Sequence, residues 1–353
     1  MVGYLVLENG EIFEGERIGY NTDTACEVVF NTAMAGYIGT FTDPSYAGQG
    51  IVMTYPLIGN YGVIPEDYDS DGIWAKAIFV HEMAEFESNF RTKFNLEKFL
   101  RDYKVTGLSN INTRKLTKIL RDEGTMRGYV TSNITNIDEI MEKIKNYKID
   151  RAIEKVTSKQ IKVYGKGKKK RVALMDYGFQ HNVVNSLLIR DVEVTVFPAN
   201  TPAEKVLSIK PDGIMLSNGP GNPTEYDFQI RNVKKLYESN IPILGVGLGH
   251  QLMALATGAK IGKLKYGHRG QNHPVKDLRK DRVHITTQNH GYYILEDSIN
   301  KNIAEVTHVN LNDGTIEGLK YRNKKIVTVQ FHPEPSPGLA NSVDVFDKFV
   351  EVL

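Results

Sequence analysis

The feature that most constrains this 353-residue chain is an alternation that sets in at residue 171. Short apolar runs at 172–176, 193–197, 213–217, 243–246, 283–288 and 326–331 read as strands, and helix-patterned stretches at 182–189, 228–237 and 248–257 lie between them. A strand followed by a helix returns the chain to pair in parallel, so the expectation for 171–353 is an α/β domain: a mostly parallel sheet flanked by helices. In the middle helix, Ile230, Val233 and Tyr237 fall on one face and should point at the core. Ligands of such sheets collect beyond the carboxyl ends of the strands. That directs attention to 217–221, 245–249 and 331–334.

The first half has a different texture. Residues 4–7 and 11–13 flank Glu8-Asn9-Gly10, a hairpin signal because Asn-Gly accepts the positive φ of a tight turn. Apolar runs follow at 27–31, 51–55 and 74–80. Helical spacing appears at 95–103 (Leu96, Phe99, Leu100, Tyr103), at 113–122 (Leu116, Ile119, Leu120, with Gly124 as C-cap) and at 137–147. This predicts an α+β domain over 1–155. The segment 156–170 is expected to be an exposed linker, because the run Lys162 to Arg171 combines glycine with repeated like charge.

Bulk properties exclude several functions. With 44 basic and 42 acidic residues the net charge is +2, which gives no global field for nucleic acid. No apolar stretch approaches the roughly 20 residues that span a bilayer, and the N-terminus lacks the pattern of a signal peptide. Cys26 is the single cysteine, so no intramolecular disulfide can form and a reducing compartment is expected. A cytoplasmic protein with neither nucleic acid nor membrane as partner follows from these features.

Four motifs carry chemistry. Gly245-Val246-Gly247-Leu248-Gly249-His250-Gln251 joins a strand to a helix in the pattern of a nucleophile elbow, whose helix N-terminus lowers a thiol pKa and stabilises an oxyanion. Its central residue has no side chain, and a glycine-rich loop holding an anion by its backbone is the other reading. Phe331-His332-Pro333-Glu334 places an imidazole and a carboxylate two residues apart, on one face of extended chain, as in the base–orienter half of a triad. A surface His and Glu near a strand end would have the same sequence. Ser217-Asn218-Gly219-Pro220-Gly221-Asn222-Pro223 lets main-chain N–H groups approach a ligand, or forms a simple turn. Gln288-Asn289-His290-Gly291-Tyr292 ends another strand with polar donors, or is an ordinary loop.

Taken in this order, the residues from Arg171 onward resemble the class I, triad-type glutamine amidotransferases. The finer resemblance is to the small subunits of carbamoyl phosphate synthetases. It rests on SNGPGNP at 217–223, GLGHQLMALATGAK at 247–260, KYGHRGQNHPV at 265–275, QNHGY at 288–292 and FHPEPSPG at 331–338. It continues through the first half in VVFNTAMAGY at 28–37, TDPSYAGQ at 42–49, TYPLIGNYG at 54–62, SNFR at 88–91 and NTRKLTKILRDEG at 112–124.

The resemblance implies that 171–353 is the amidotransferase domain and that 1–155 docks on a large synthetase subunit. It implies a cysteine nucleophile where this chain has Gly247, with His332 as its base and Glu334 as the carboxylate holding that base. Backbone N–H groups of Gly219 and Leu248 would form an oxyanion hole. Ser45, Gly221, Gln251, Asn289, Gly291 and Tyr292, with Gly219 and Leu248, match the family's glutamine-binding positions. No metal or cofactor is implied in this chain; ATP and Mg²⁺ would belong to the large subunit, and no P-loop is present. The chain departs from the family at Gly247, at Cys26 (usually glycine), and at Gln180 and Asn112, where a lysine and an aspartate are expected. Without sulfur at 247, glutamine hydrolysis is expected to be severely impaired. Cys26 precedes a strand in the other domain and is read as a packed thiol rather than a substitute nucleophile.

Overall fold

A computed structural model describes residues 1–334 and 344–353, so Pro335 to Gly338 of the last motif lie outside the described residues. The chain forms two compact units, Met1–Ala152 and Ile153–Leu353.

In the first unit the strands close into a barrel in the order Val2–Leu7, Ile12–Gly19, Thr106–Ser109, Ala77–Phe79, Gln49–Met53, Thr24–Asn31 and Met126–Thr131. Closure leaves no unpaired edge. The predicted hairpin is present, with Val6 opposite Ile12 and Gly10 at φ 88° in the turn. Leu5, Leu7, Val28, Phe30, Val52 and Phe79 pack together inside, joined by Leu116 and Leu120 from the helix Thr113–Glu123. Asn112 caps that helix by accepting from the Lys115 N–H at 2.9 Å, and Gly124, at φ 107°, closes it. Cys26 is fully buried in this core, and burial pushes its thiol up to about 12.

The second unit is built on a ten-stranded sheet. Its centre is the expected parallel array, in the order Val192–Pro198, Lys170–Asp176, Gly213–Leu216, Ile243–Val246 and Ile326–Val329. Both faces of this array are covered. Ala173, Met175, Ile214 and Leu216 face one apolar cluster, whereas Val172, Leu174, Met215 and Leu244 face another. Period-two alternation between two buried faces explains why these strands read as continuous apolar runs. Val233 is buried in the first cluster, with Ile230 and Tyr237 packed against it, as the helical stripe predicts.

Two features depart from the sequence expectation. Between the helix Leu248–Ala256 and the last parallel strand, the chain builds an antiparallel wing of Ile261–Asp277, Arg282–Ile294, Ala304–Asn310 and Ile316–Tyr321. Only 283–288 of this wing is legible as strand in the sequence, because its polar alternation and bulges dilute the apolar signal. The expected linker 156–170 is also corrected. Lys162–Tyr164 pairs antiparallel with Val192–Pro198 as an edge strand, and Lys170 already belongs to the parallel array. Gly165 and Gly167, at φ 64° and 88°, make the turn between them. Lysines suit such an edge because they discourage further pairing.

Candidate active site

Ile243–Val246 and Ile326–Val329 run parallel side by side, so the residues that follow them emerge at the same end of the sheet. The elbow at Gly247 turns there into the helix Leu248–Ala256. Gly247 holds φ 54° and ψ −109°, a conformation that L side chains rarely adopt. Its N–H donates to Val329 O at 2.9 Å, and its carbonyl accepts from Gln251 N–H at 3.2 Å. The three elbow glycines have different reasons. A Cβ on Gly249 would lie 2.3 Å from Leu216 O, and one on Gly245 would lie 2.8 Å from a Thr328 methyl. At Gly247 the nearest atom would be Asn218 Cβ at 3.1 Å, a tight contact that a small shift would relieve, so the backbone angle is the larger constraint there.

His332 and Glu334 are both buried, and His332 Nδ1 is 2.8 Å from Glu334 Oε1. The carboxylate therefore orients the imidazole through Nδ1, leaving Nε2 as the nitrogen for proton transfer. The strand Arg282–Ile294 steadies this segment, since His332 N–H donates to Thr287 O at 3.0 Å. His250, one turn into the elbow helix, contacts Thr328 Oγ1 through Nδ1 at 2.7 Å; burial drives its pKa to about 3, so it is uncharged.

The other sequence-predicted residues are distributed as follows. Gly219 follows Gly213–Leu216 and lies so close to Tyr177 that a Cβ would be 2.2 Å from its carbonyl oxygen. Gly221 takes φ 90° in the same loop. Leu248 opens the elbow helix, where Gly249 N–H is spent on Ser217 O at 3.0 Å. Gln251 is buried and donates from Nε2 to Tyr292 O (2.9 Å) and Gln330 Oε1 (2.8 Å), tying the helix to the 288–292 segment. Asn289, Gly291 and Tyr292 lie on Arg282–Ile294. Ser45 lies in the first unit, in the turn Pro44–Tyr46, and its N–H donates to Asp43 Oδ1 at 2.9 Å. Gln180 is buried ahead of the helix His181–Leu188 and makes no side-chain cap bond to it.

Sequence reasoning missed a buried polar network in the wing. His268 reaches Asp313 Oδ2 through Nε2 at 2.9 Å and Gln288 Oε1 through Nδ1 at 3.0 Å. Gln288 Oε1 also meets His290 Nε2 at 2.9 Å, and Glu317, fully buried, accepts from Asn310 Nδ2 at 3.2 Å. His268, His290 and Glu317 bring metal-ligand-type atoms within 4.8 Å of one another. Their separation along the chain hid the network itself; the runs KYGHRGQNHPV and QNHGY hold three of its members, His268, Gln288 and His290, without showing that they meet.

The fold of the second unit and the elbow beside a His–Glu pair define a class, and residues 173–352 match the family described as glutamine amidotransferase class-I. Residues 5–130 match the carbamoyl-phosphate synthase small chain, CPSase domain. Across 352 residues the chain is 46% identical to the carbamoyl phosphate synthase small chain of Clostridium perfringens, covering 99% of both. It is 44% identical to that of Listeria monocytogenes serotype 4b, covering 99% of this chain and 96% of the relative. It is also 43% identical to the pyrimidine-specific small chain of Bacillus subtilis, covering 99% and 95%. The chain belongs to the carbamoyl phosphate synthase small chain family. Among the described residues, no helix is long and apolar enough to cross a membrane.

Proposed function

We propose that this chain is the glutamine-binding subunit of a cytoplasmic carbamoyl phosphate synthase and that, as it stands, it holds L-glutamine without cutting it efficiently. The observation that carries this reading is the elbow: Gly247 keeps φ 54° and ψ −109° beside a preformed His332–Glu334 pair, with no side chain to act as nucleophile. With a thiol at 247, His332 would take its proton as the sulfur attacks the glutamine carboxamide carbon. The oxyanion would be met by the N–H groups of Gly219 and Leu248. His332 would return the proton to the departing nitrogen, releasing ammonia and leaving a γ-glutamyl thioester for water to cleave. Gly221, Gln251, Asn289, Gly291 and Tyr292 would bind the glutamine. Ammonia would pass to a large subunit, which holds the ATP and Mg²⁺ and makes carbamoyl phosphate for pyrimidine and arginine synthesis.

Gly247→Cys is the test. A Cβ at 247 would meet Asn218 Cβ at 3.1 Å and needs a small shift there, and regaining a nucleophile is expected to raise ammonia release by several orders of magnitude when the large subunit is present. A folded, assembled Gly247→Cys chain that released no ammonia from glutamine would overturn the reading. Glycine is also the residue that best tolerates the elbow φ, which favours a second reading: a non-catalytic subunit that regulates an ammonia-fed partner. That reading requires the chain to alter carbamoyl phosphate synthesis from ammonium salts, or the stability of the large subunit. No change in either removes it.

A further inference from the structure

We propose that His268 is a positioning residue for the 288–292 strand, holding the backbone that presents Asn289 and Gly291; this rests on the glutamine-binding reading of that strand. The strand Arg282–Ile294 alternates in burial, with Thr286, Gln288 and His290 on its buried face and Thr287, Asn289 and Gly291 less covered. Thr287, on the less covered side, pairs with His332. The buried side is gripped by the wing: Gln288 Oε1 lies between His268 Nδ1 at 3.0 Å and His290 Nε2 at 2.9 Å. A neutral His290 has one N–H, which goes to Gln288 Oε1, so Gln288 and His290 are held in series from His268, next in the chain to Asn289 and Gly291.

The charge on His268 is what the geometry supports. Its Nε2 faces Asp313, and its Nδ1 faces Gln288 Oε1 and, at 3.6 Å, Glu317 Oε1; Asn310 Nδ2 also lies 3.4 Å from Nδ1 but donates to Glu317 Oε1 at 3.2 Å. Burial opposes protonation, but the bonds to Asp313 and Glu317 outweigh it and lift His268 to about 9. The other groups facing it are His290, held neutral by burial and by the His268 charge, His273, whose ring centroid is 5.1 Å away, and the adjoining Arg269. A metal bound by His268, His290 and Glu317 would need bare ring nitrogens. An imidazolium donating from both nitrogens has none.

The experiment is calorimetric titration of L-glutamine into the parent chain, His268→Gln and Asp313→Asn between pH 6 and 8, with ¹⁵N NMR of the histidine rings and of the 288–292 amides. The parent should bind with an affinity flat across this range and show the His268 ring doubly protonated at pH 8. His268→Gln should bind about tenfold more weakly, the loss of a charge-assisted bond. Asp313→Asn, whose side chain is partly exposed and spares the core, should bind like the parent at pH 6 and lose affinity by pH 8, because His268 then titrates nearer its ordinary value. Parent-like affinity in His268→Gln, a flat profile in Asp313→Asn, or one equivalent of zinc retained by the parent and lost in His268→Gln overturns the proposal. A parent chain that binds no glutamine defeats the functional reading instead. The amide shifts of 288–292 then decide the positioning role, and their invariance in His268→Gln refutes it.

Discussion

Three glycines within five residues do three different jobs at the elbow. Gly249 is glycine for lack of space, Gly245 because a Thr328 methyl presses on it, and Gly247 because of its backbone angle. Gly249→Ala should therefore be costly, on the order of 2 kcal/mol or more as overpacking, read as a lowered urea midpoint; an unchanged midpoint would contradict the 2.3 Å approach to Leu216 O. Gly247→Cys should cost less stability, about 1–2 kcal/mol of backbone strain. His268 makes a pH prediction. Its folded pKa of about 9 lies above the ordinary 6.5, so its contribution to stability is complete below about 6.5 and is lost as pH rises through about 9. The Tm difference between the parent and His268→Gln should shrink over that window by several degrees, corresponding to on the order of 2 kcal/mol. A difference that stays constant from pH 6 to 10 would mean that the ring carries no charge.

Elements show where local chemistry suffices and where it fails. The helix Thr113–Glu123 is legible from its spacing, its cap Asn112 and its stop Gly124 because each acts within a turn or so of the chain. Asparagine caps as aspartate does, which accounts for this departure from the family pattern: Asn112→Asp should be nearly neutral, and Asn112→Ala should cost about 1 kcal/mol in thermal unfolding. The edge strand Lys162–Tyr164 was not legible. Its residues are mostly exposed, three positions show no periodicity, and its partner Val194–Val196 lies some thirty residues away. The same reason hides the wing strands Ala304–Asn310 and Ile316–Tyr321, whose pairing is defined only by the completed sheet.

At the scale of the molecule, each unit has its own core, a barrel interior in one and a two-faced sheet in the other. Cys26 reports on the first. Buried among Leu5, Val28 and Phe79 with its thiol raised to about 12, it should resist a disulfide-exchange reagent in the native protein and react only as the barrel opens. Rapid stoichiometric labelling under native conditions would contradict this packing. The alternating parallel strands and helices of the second unit, the elbow turn, the His332–Glu334 pair and the family are legible in the sequence, because these depend on periodicity and on residues close together in the chain; the barrel strands Thr106–Ser109 and Met126–Thr131 are not. Barrel closure, the antiparallel wing, the pairing of the lysine-rich segment and the convergence of His268, Gln288, His290, Asp313 and Glu317 emerge from the completed fold. Those depend on pairings across long separations, which no local pattern encodes.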